Sequence, residues 1–342
     1  LSASLPAQDL SLDELARGFA AHPPHLGDNG DRLPFYLALD AWVSRPDAVY
    51  WDRNPDTANL PLRDYYRAAI QRALIQAAQT KVSTGASIWK LYSSGFIVKT
   101  AAGVIAFDAV EGPFKSNRLS PETAPDFAFQ WTPEMRRDFA RVVDVAFITH
   151  HHYDHASYAL AREMGAAGKK VVLPPDLKEL WNAEPFAPSL VALREGEHRV
   201  GPFTVRIFPG GQAMTQFEGA WTPGPKDPNN NVYLVRSAGS PTFLHNGDNR
   251  GREFTHWLQQ AVEEGWKPDV WFRIMTWPRD LIDKVEAIVK PLIIPGHEYE
   301  MGHKPKYGVN VLRSAYEGVG RTRFTENRFA ILTWGERLNI GH

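Results

Sequence analysis

The chain has no cysteine. That excludes disulfides and thiolate metal ligands, so any metal held here must sit among imidazole, carboxylate and weaker oxygen donors. No apolar run reaches the roughly 18 residues that a membrane-spanning helix needs. An excess of one charge is missing too. The 38 basic side chains face 39 acidic ones, for a net charge of −1, and Lys and Arg form no block. Nucleic acid is therefore not an expected partner, because binding its phosphate backbone requires a local cationic surface. Neither a repeat at solenoid period nor a low-complexity tract is present. What remains is ordinary for a globular protein: 342 residues, 43% hydrophobic and 23% charged, enough for one large domain or two smaller ones. The opening Leu1-Ser2-Ala3-Ser4-Leu5-Pro6-Ala7-Gln8 is small and polar. It suits the start of a mature secreted chain and equally a frayed terminus, so periplasmic or secreted and cytoplasmic locations stay open alike.

Residues 9–80 read as helical. Ser11-Leu12-Asp13-Glu14 is a capping box, Pro23 to Gly30 is a breaker, and a longer helix is predicted over Leu62–Gln79 with Tyr66, Ile70, Leu74 and Ala78 on one stripe. His22 and His25 fall in the breaker and read as solvated. From Ala86 the period becomes that of strands: Ile88–Tyr92, Gly95–Lys99 and Gly103–Asp108. Thr132-Pro133-Glu134 opens a helix. Val142–Ile148 is a strand, then helices from about Ala156 and Pro175 flank a strand at Lys170–Leu173. Further strands are expected at His198–Val200, Phe203–Phe208, Asn231–Val235 and Thr242–His245. Helices over about 252–264 and 279–289 lead to a closing strand, Pro291–Pro295. Two blocks of strands, each followed by helices, predict two packed sheets with helices outside them and not a doubly wound sheet.

The densest chemistry follows the strand at Val142–Ile148. Thr149-His150-His151-His152-Tyr153-Asp154-His155 carries ligand candidates spaced His-x-His-x-Asp-His. A loop leaving a strand end can aim three imidazoles and a carboxylate at one point, and such donors suit a borderline cation such as zinc. The competing reading is a histidine-rich surface loop. Asp248, in Gly247-Asp248, and His297, in Gly296-His297, each follow an apolar strand. Taken singly, an Asp in a turn or a lone His is more often structural. Together with the first motif they are what a two-metal site requires, because a bridging carboxylate offsets the repulsion of two neighbouring cations. Gly247 and Gly296 are expected to let the backbone turn sharply.

In this order, His150-x-His152-x-Asp154-His155, Gly247-Asp248 and Gly296-His297 resemble the metallo-β-lactamase superfamily over about residues 85–310. The wording of 149–155, with Tyr153, is similar to the branch containing ascorbate-6-phosphate lactonase and N-acyl-phosphatidylethanolamine phospholipase D. The resemblance implies an α/β fold, a four-layer αββα sandwich over 85–342, with residues 1–84 as an N-terminal helical extension. It implies that His150 and His152 bind a first metal, that Asp154, His155 and His297 bind a second, and that Asp248 bridges them. It also gives Asp154 a catalytic part, orienting the hydroxide or taking its proton. Asp108 matches an early strand-end Asp that orients a ligand histidine; a turn-capping Asp is the alternative.

One departure stands out. The family's third histidine for the first metal has no counterpart in Phe208-Pro209-Gly210-Gly211-Gln212-Ala213. Gln212 offers an amide oxygen, a poorer zinc donor. His245 reads as packed along its strand, and His198 and His303 matter only if the fold brings them close. The second position is thus expected intact and the first weak or empty. Trp221, Trp271, Trp277 and Tyr299 are candidates for a pocket wall or for core, Asn229-Asn230-Asn231 reads as a polar turn, and Arg250 is the nearest cation to Asp248. The function expected is a metal-dependent hydrolase in which a metal-held hydroxide attacks an ester, lactone, phosphodiester or amide of a small molecule. Zinc comes first, one or two ions, with manganese or iron open. The alternatives are an oxidoreductase or di-iron protein on the same fold, and a non-catalytic binding module with a degraded first position.

Overall fold

The computed structural model describes residues 10–45, 60–112, 129–212, 214–217, 220–223, 229–249, 251, 253–274, 279–299, 301, 311–318 and 326–341. Three helices come first: α1 (Leu12–Ala21), α2 (Leu33–Ser44) and α3 (Leu60–Gln79). The capping box of α1 forms as predicted. Ser11 Oγ accepts from the Glu14 backbone N–H at 3.3 Å, and Glu14 Oε2 accepts from the Ser11 N–H at 2.8 Å. In α3 the buried stripe runs through Tyr66, Ile70 and Leu74 but ends on Ala77, while Ala78 is exposed. With 3.6 residues per turn, a step of eleven from Tyr66 returns to the same face and a step of twelve rotates off it.

Strands β1 (Ala86–Lys90), β2 (Phe96–Thr100), β3 (Gly103–Phe107), β4 (Val145–Phe147), β5 (Lys170–Leu173) and β6 (Leu190–Ala192) build the first sheet in that order. A second sheet starts with β7 (Gly196–Val200) and β8 (Phe203–Phe208). A two-stranded ribbon follows, β9 (Met214–Phe217) and β10 (Ala220–Pro223). The second sheet continues through β11 (Val232–Arg236), β12 (Phe243–His245), β13 (Val270–Ile274) and β14 (Leu292–Gly296), ordered β14-β13-β12-β11-β8-β7. Finally β15 (Arg337–Ile340) returns to the first sheet, antiparallel to β1. The strand predicted over Pro291–Pro295 is therefore not the closing one.

Helices α4 (Pro133–Val142), α5 (Tyr158–Ala166) and α6 (Pro175–Leu180) pack, with α3, on the outside of the first sheet. Helices α7 (Glu253–Glu263) and α8 (Arg279–Ile288) pair beside the second sheet, and α9 (Leu312–Gly318) lies on α2. Phe208 stacks on Trp257 and Phe254 on Trp271, which fixes α7 to its sheet. The fold is thus the expected four-layer αββα sandwich: helices, sheet, sheet, helices.

Alternation along the strands explains the layers. In β2, Phe96 and Val98 join the core between the sheets, while Ile97 joins the core under the helices. Ile88, Ile105, Phe107 and Phe147 meet Tyr233, Phe243, Phe272 and Ile294 across the inner layer. With both faces covered, strands such as β1 and β13 are buried at every position. The N-terminal helices are held to this body by polar ties. Arg32 is fully buried, donating to Glu336 at 2.5 Å and to the Ile331 carbonyl at 2.7 Å. Tyr66 Oη donates to the Glu111 carbonyl at 2.9 Å and accepts from the Trp131 indole at 2.9 Å.

Candidate metal centre

Four strand ends deliver the site. β3 and β4 run parallel in one sheet, and β12, β13 and β14 run parallel in the other. Their carboxyl ends emerge at a shared rim, where open α/β sheets bind ligands. Asp108 follows β3, the histidine-rich loop follows β4, Asp248 follows β12 and His297 follows β14. The rim brings together all six residues proposed from the sequence. His155 Nε2 lies 3.2 Å from Asp248 Oδ1 and 3.5 Å from Asp154 Oδ2. His297 Nε2 lies 2.9 Å from Asp154 Oδ2 and 3.7 Å from Asp248 Oδ1. His150 Nε2 lies 3.1 Å from His152 Nδ1 and 3.9 Å from Asp248 Oδ2. Ligand atoms of His150, His155 and Asp248 fall within 4.8 Å of one another, as do those of Asp154, His155 and His297.

Asp108 organises the rim from behind. It adopts φ 40° just past its strand and accepts three hydrogen bonds. The donors are the Thr149 N–H at 2.7 Å, Thr149 Oγ1 at 2.7 Å and His155 Nδ1 at 2.7 Å. It is thus a histidine-orienting group, not a mere turn cap. Because Thr149 gives its hydroxyl proton to Asp108, its oxygen accepts from His150 Nδ1 at 3.1 Å. His155 and His150 are therefore each fixed through Nδ1 and turn Nε2 toward the cluster, whereas His152 faces it with Nδ1.

His245 is spoken for: its Nε2 donates to the Ser94 carbonyl at 3.1 Å and its Nδ1 accepts from the Gly247 N–H at 3.0 Å. Its ring stacks on Phe107. His198 bonds the Arg194 carbonyl at 2.8 Å, and His22 and His25 flank Asp31 at 3.2 and 3.1 Å; none of them joins the rim. Trp271 and Tyr299 are core, donating to Asn246 Oδ1 at 2.8 Å and to Asp40 respectively. Arg250, Trp277 and His303 lie outside the described residues, as does the side chain of Trp221.

Two sequence readings need correction. Gly247 does take a left-handed turn, φ 52°, but Gly296 does not; His297 itself carries the turn, with φ 67°. Gly296 is small because Phe96 packs there, 3.2 Å from where a Cβ would stand. Asn229-Asn230-Asn231 is also more than a polar turn. Asn230 and Asn231 are buried. Asn230 Oδ1 accepts from the Asp248 N–H at 3.0 Å, its Nδ2 donates to the Asn246 carbonyl at 3.0 Å, and the Asn231 N–H donates to the Thr149 carbonyl at 2.8 Å. These amides stitch the two ligand loops together. The available signal was the run itself, since three consecutive amides ahead of an apolar strand offer many bonds to a buried neighbourhood.

The electrostatics fit a cation. Burial disfavours a charged His155, yet Asp248, Asp154 and Asp108 outweigh it and hold the imidazole pKa well above its ordinary value. His297 is raised against burial by Asp248 and Asp154. Burial works against the charge of Asp154 and Asp248 too, but the facing imidazoles carry both well below the usual carboxylate range. His150 goes the other way, lowered by burial and by His155. Asp154 Oδ2, His155 Nε2 and Asp248 Oδ1 are buried and close together, yet have no hydrogen-bond partner among the described residues. Leaving such atoms unsatisfied costs about 1–3 kcal/mol each. A divalent cation coordinated by them removes that cost, and the donor set suits one.

No protein-family model matches the chain, and no curated protein sequence does. Solved structures do. One, described as a possible metal-dependent hydrolase from Veillonella parvula, is 13% identical with a TM-score of 0.54, covering 75% of this chain and 100% of that one. An isothiocyanate hydrolase from Delia radicum gut bacteria is 13% identical with a TM-score of 0.52, covering 74% and 98%. A variant of the CmlA β-hydroxylase is 13% identical with a TM-score of 0.50, covering 77% of this chain and 55% of that one. At such identity the likeness establishes the fold alone, one shared by structures described as a possible metal-dependent hydrolase, an isothiocyanate hydrolase and a β-hydroxylase.

Proposed function

We propose that the chain is a metal-dependent hydrolase of small molecules. His150 and His152 would hold one ion, Asp154, His155 and His297 another, and Asp248 would serve both. The observation that carries this reading is the division of the Asp248 carboxylate. Its Oδ1 faces His155 and His297 at 3.2 and 3.7 Å, while its Oδ2 faces His150 at 3.9 Å. When bound, such cations would supply Lewis acidity, lowering the pKa of a water to about 7 and polarising the bond to be cleaved. Zinc is the first choice for a His/Asp set, and manganese or iron suits it as well.

The chain's own groups set up the chemistry. Asp154 is a buried carboxylate at the rim, and it would orient the attacking water and accept its proton. Asp108 keeps His155 in one ring orientation. Gln212 and His152 stand at the half-buried side of the cluster, from which a substrate would arrive. The substrate would be an ester, lactone, phosphodiester or amide, and the similarity of 149–155 to the lactonase and phospholipase branch supports the inclusion of lactones and phosphodiesters. Residues 1–84 would act as a helical extension of the 85–342 domain. Asp40 of α2 supports that role, since it accepts from Tyr299, two residues beyond His297.

Metal analysis of the purified protein, with a panel of chromogenic lactones, phosphodiesters, esters and amides, tests the proposal. Asp154→Ala is expected to abolish turnover with the far-UV circular dichroism spectrum retained. Full activity in that variant would remove Asp154 from the mechanism. Oxygen uptake by the iron-loaded protein, with no hydrolysis of any panel member, would put the oxidoreductase alternative ahead.

A further inference from the structure

We infer that Gln212 completes the first ion position, supplying an amide oxygen where a third histidine is lacking. The inference rests on the metal-site reading above and deepens it.

The Gln212 amide nitrogen lies 3.3 Å from His150 Nε2, 2.9 Å from His152 Nδ1 and 3.3 Å from Asp248 Oδ2. His150 Nε2 and His152 Nδ1 are themselves 3.1 Å apart. Donors held about 2.1 Å from a tetrahedral ion stand about 3.4 Å from each other. The Gln212 amide therefore occupies a corner, at ligand-to-ligand distance from three other donors. Turning the terminal amide by half a revolution exchanges nitrogen for oxygen without moving the group. With NH2 inward it donates to the ligand atoms and closes the position by hydrogen bonds. With the oxygen inward it offers a lone pair at the same place.

The corner is built, not incidental. The Gly210 carbonyl accepts from the Asn230 N–H at 2.7 Å, and the Gly211 carbonyl accepts from Asn249 Nδ2 at 2.7 Å. Asn249 is the neighbour of Asp248, so the loop that carries Gln212 is tied to the loop that carries the shared carboxylate. The energetic consequence is an unequal pair. A neutral amide oxygen is a poorer donor to zinc than imidazole, and an ion entering here must displace the amide's hydrogen bonds. The second position, with Asp154, His155 and His297 all buried, fills first and holds its ion more tightly.

The test is zinc titration of the stripped full chain by calorimetry, repeated with cobalt by absorbance, on the wild type, Gln212→Leu and Gln212→His. The expected wild type takes up two ions in two resolved steps and gives up the weaker one first to a chelator. Gln212→Leu should drop to a single ion, and that retained ion shows the variant is folded. Gln212→His should keep two ions and tighten the weaker step. Two ions in Gln212→Leu with both affinities unchanged would overturn the inference. So would a single ion in both wild type and Gln212→His. A wild type that binds no ion would sink the metal-site reading itself, and the inference with it.

Discussion

Single side chains decide whether this rim can hold charge. Gly247 is the sharpest case. Its φ is 52°, and a Cβ there would stand 2.5 Å from Thr149 Oγ1 and 2.6 Å from Asn230 Oδ1. Gly247→Ala is expected to cost about 1–3 kcal/mol in denaturant unfolding and to lower metal content, since both clashing groups position ligands. A variant with unchanged stability would show the loop to be pliant. Asp108→Asn should retain the fold while weakening metal binding by about 10–100-fold, read by competition with a chelator. Unchanged affinity would deny Asp108 its orienting part. The six rim residues were legible because motif order and spacing are properties of the chain. Asn230 and Asn231 were not: an amide in a solvated turn and an amide bridging buried loops are the same letter, and only the partners distinguish them.

Elements were legible where the local signal is strong. Ser11, Glu14, Thr132 and Pro133 mark helix starts through short-range hydrogen bonds and fixed φ, and the helices begin there. β13 was missed. Val270-Trp271-Phe272-Arg273-Ile274 is buried on both faces, so it shows no alternation, and an arginine interrupts its apolar character. β15 was missed as well, because its pairing with β1 spans most of the chain. At this scale the tie between helices and rim can be tested. Asp40 in α2 accepts from Tyr299 and from the Leu312 and Arg313 N–H groups at 3.0 Å each, capping α9. Asp40→Ala should destabilise the fold by about 1–3 kcal/mol and speed loss of the ion next to His297. If ion retention were untouched, the helical extension would be packing alone.

Across the whole molecule, two kinds of tie hold the layers together. One is the apolar layer between the sheets. The other is a set of long-range polar contacts such as Arg32 with Glu336. Removing one partner of a buried pair strands the other, so Arg32→Met should cost about 3–5 kcal/mol, measured by urea unfolding. A loss under about 1 kcal/mol would mean that Glu336 reaches water instead. The metal would be a third tie. It would join loops from both sheets, so chelation should lower the melting temperature, reversibly on adding the ion back. At a hundredfold excess over its dissociation constant, a ligand of the folded state contributes about 2.7 kcal/mol. A melting temperature indifferent to chelator would argue against any ion at the rim.

The amino-acid sequence by itself determined the donor types, the order of the ligand motifs, most helix and strand positions and the two-sheet arrangement. These follow from covalent spacing, from capping and from hydrophobic period, all of which act over a few residues. Only the tertiary structure decided that Gln212 meets His150, His152 and Asp248, and that buried asparagines join the ligand loops. It alone decided that β15 closes the first sheet. Those outcomes depend on which distant strand ends the packed sheets bring to one rim, and local chemistry carries no record of it.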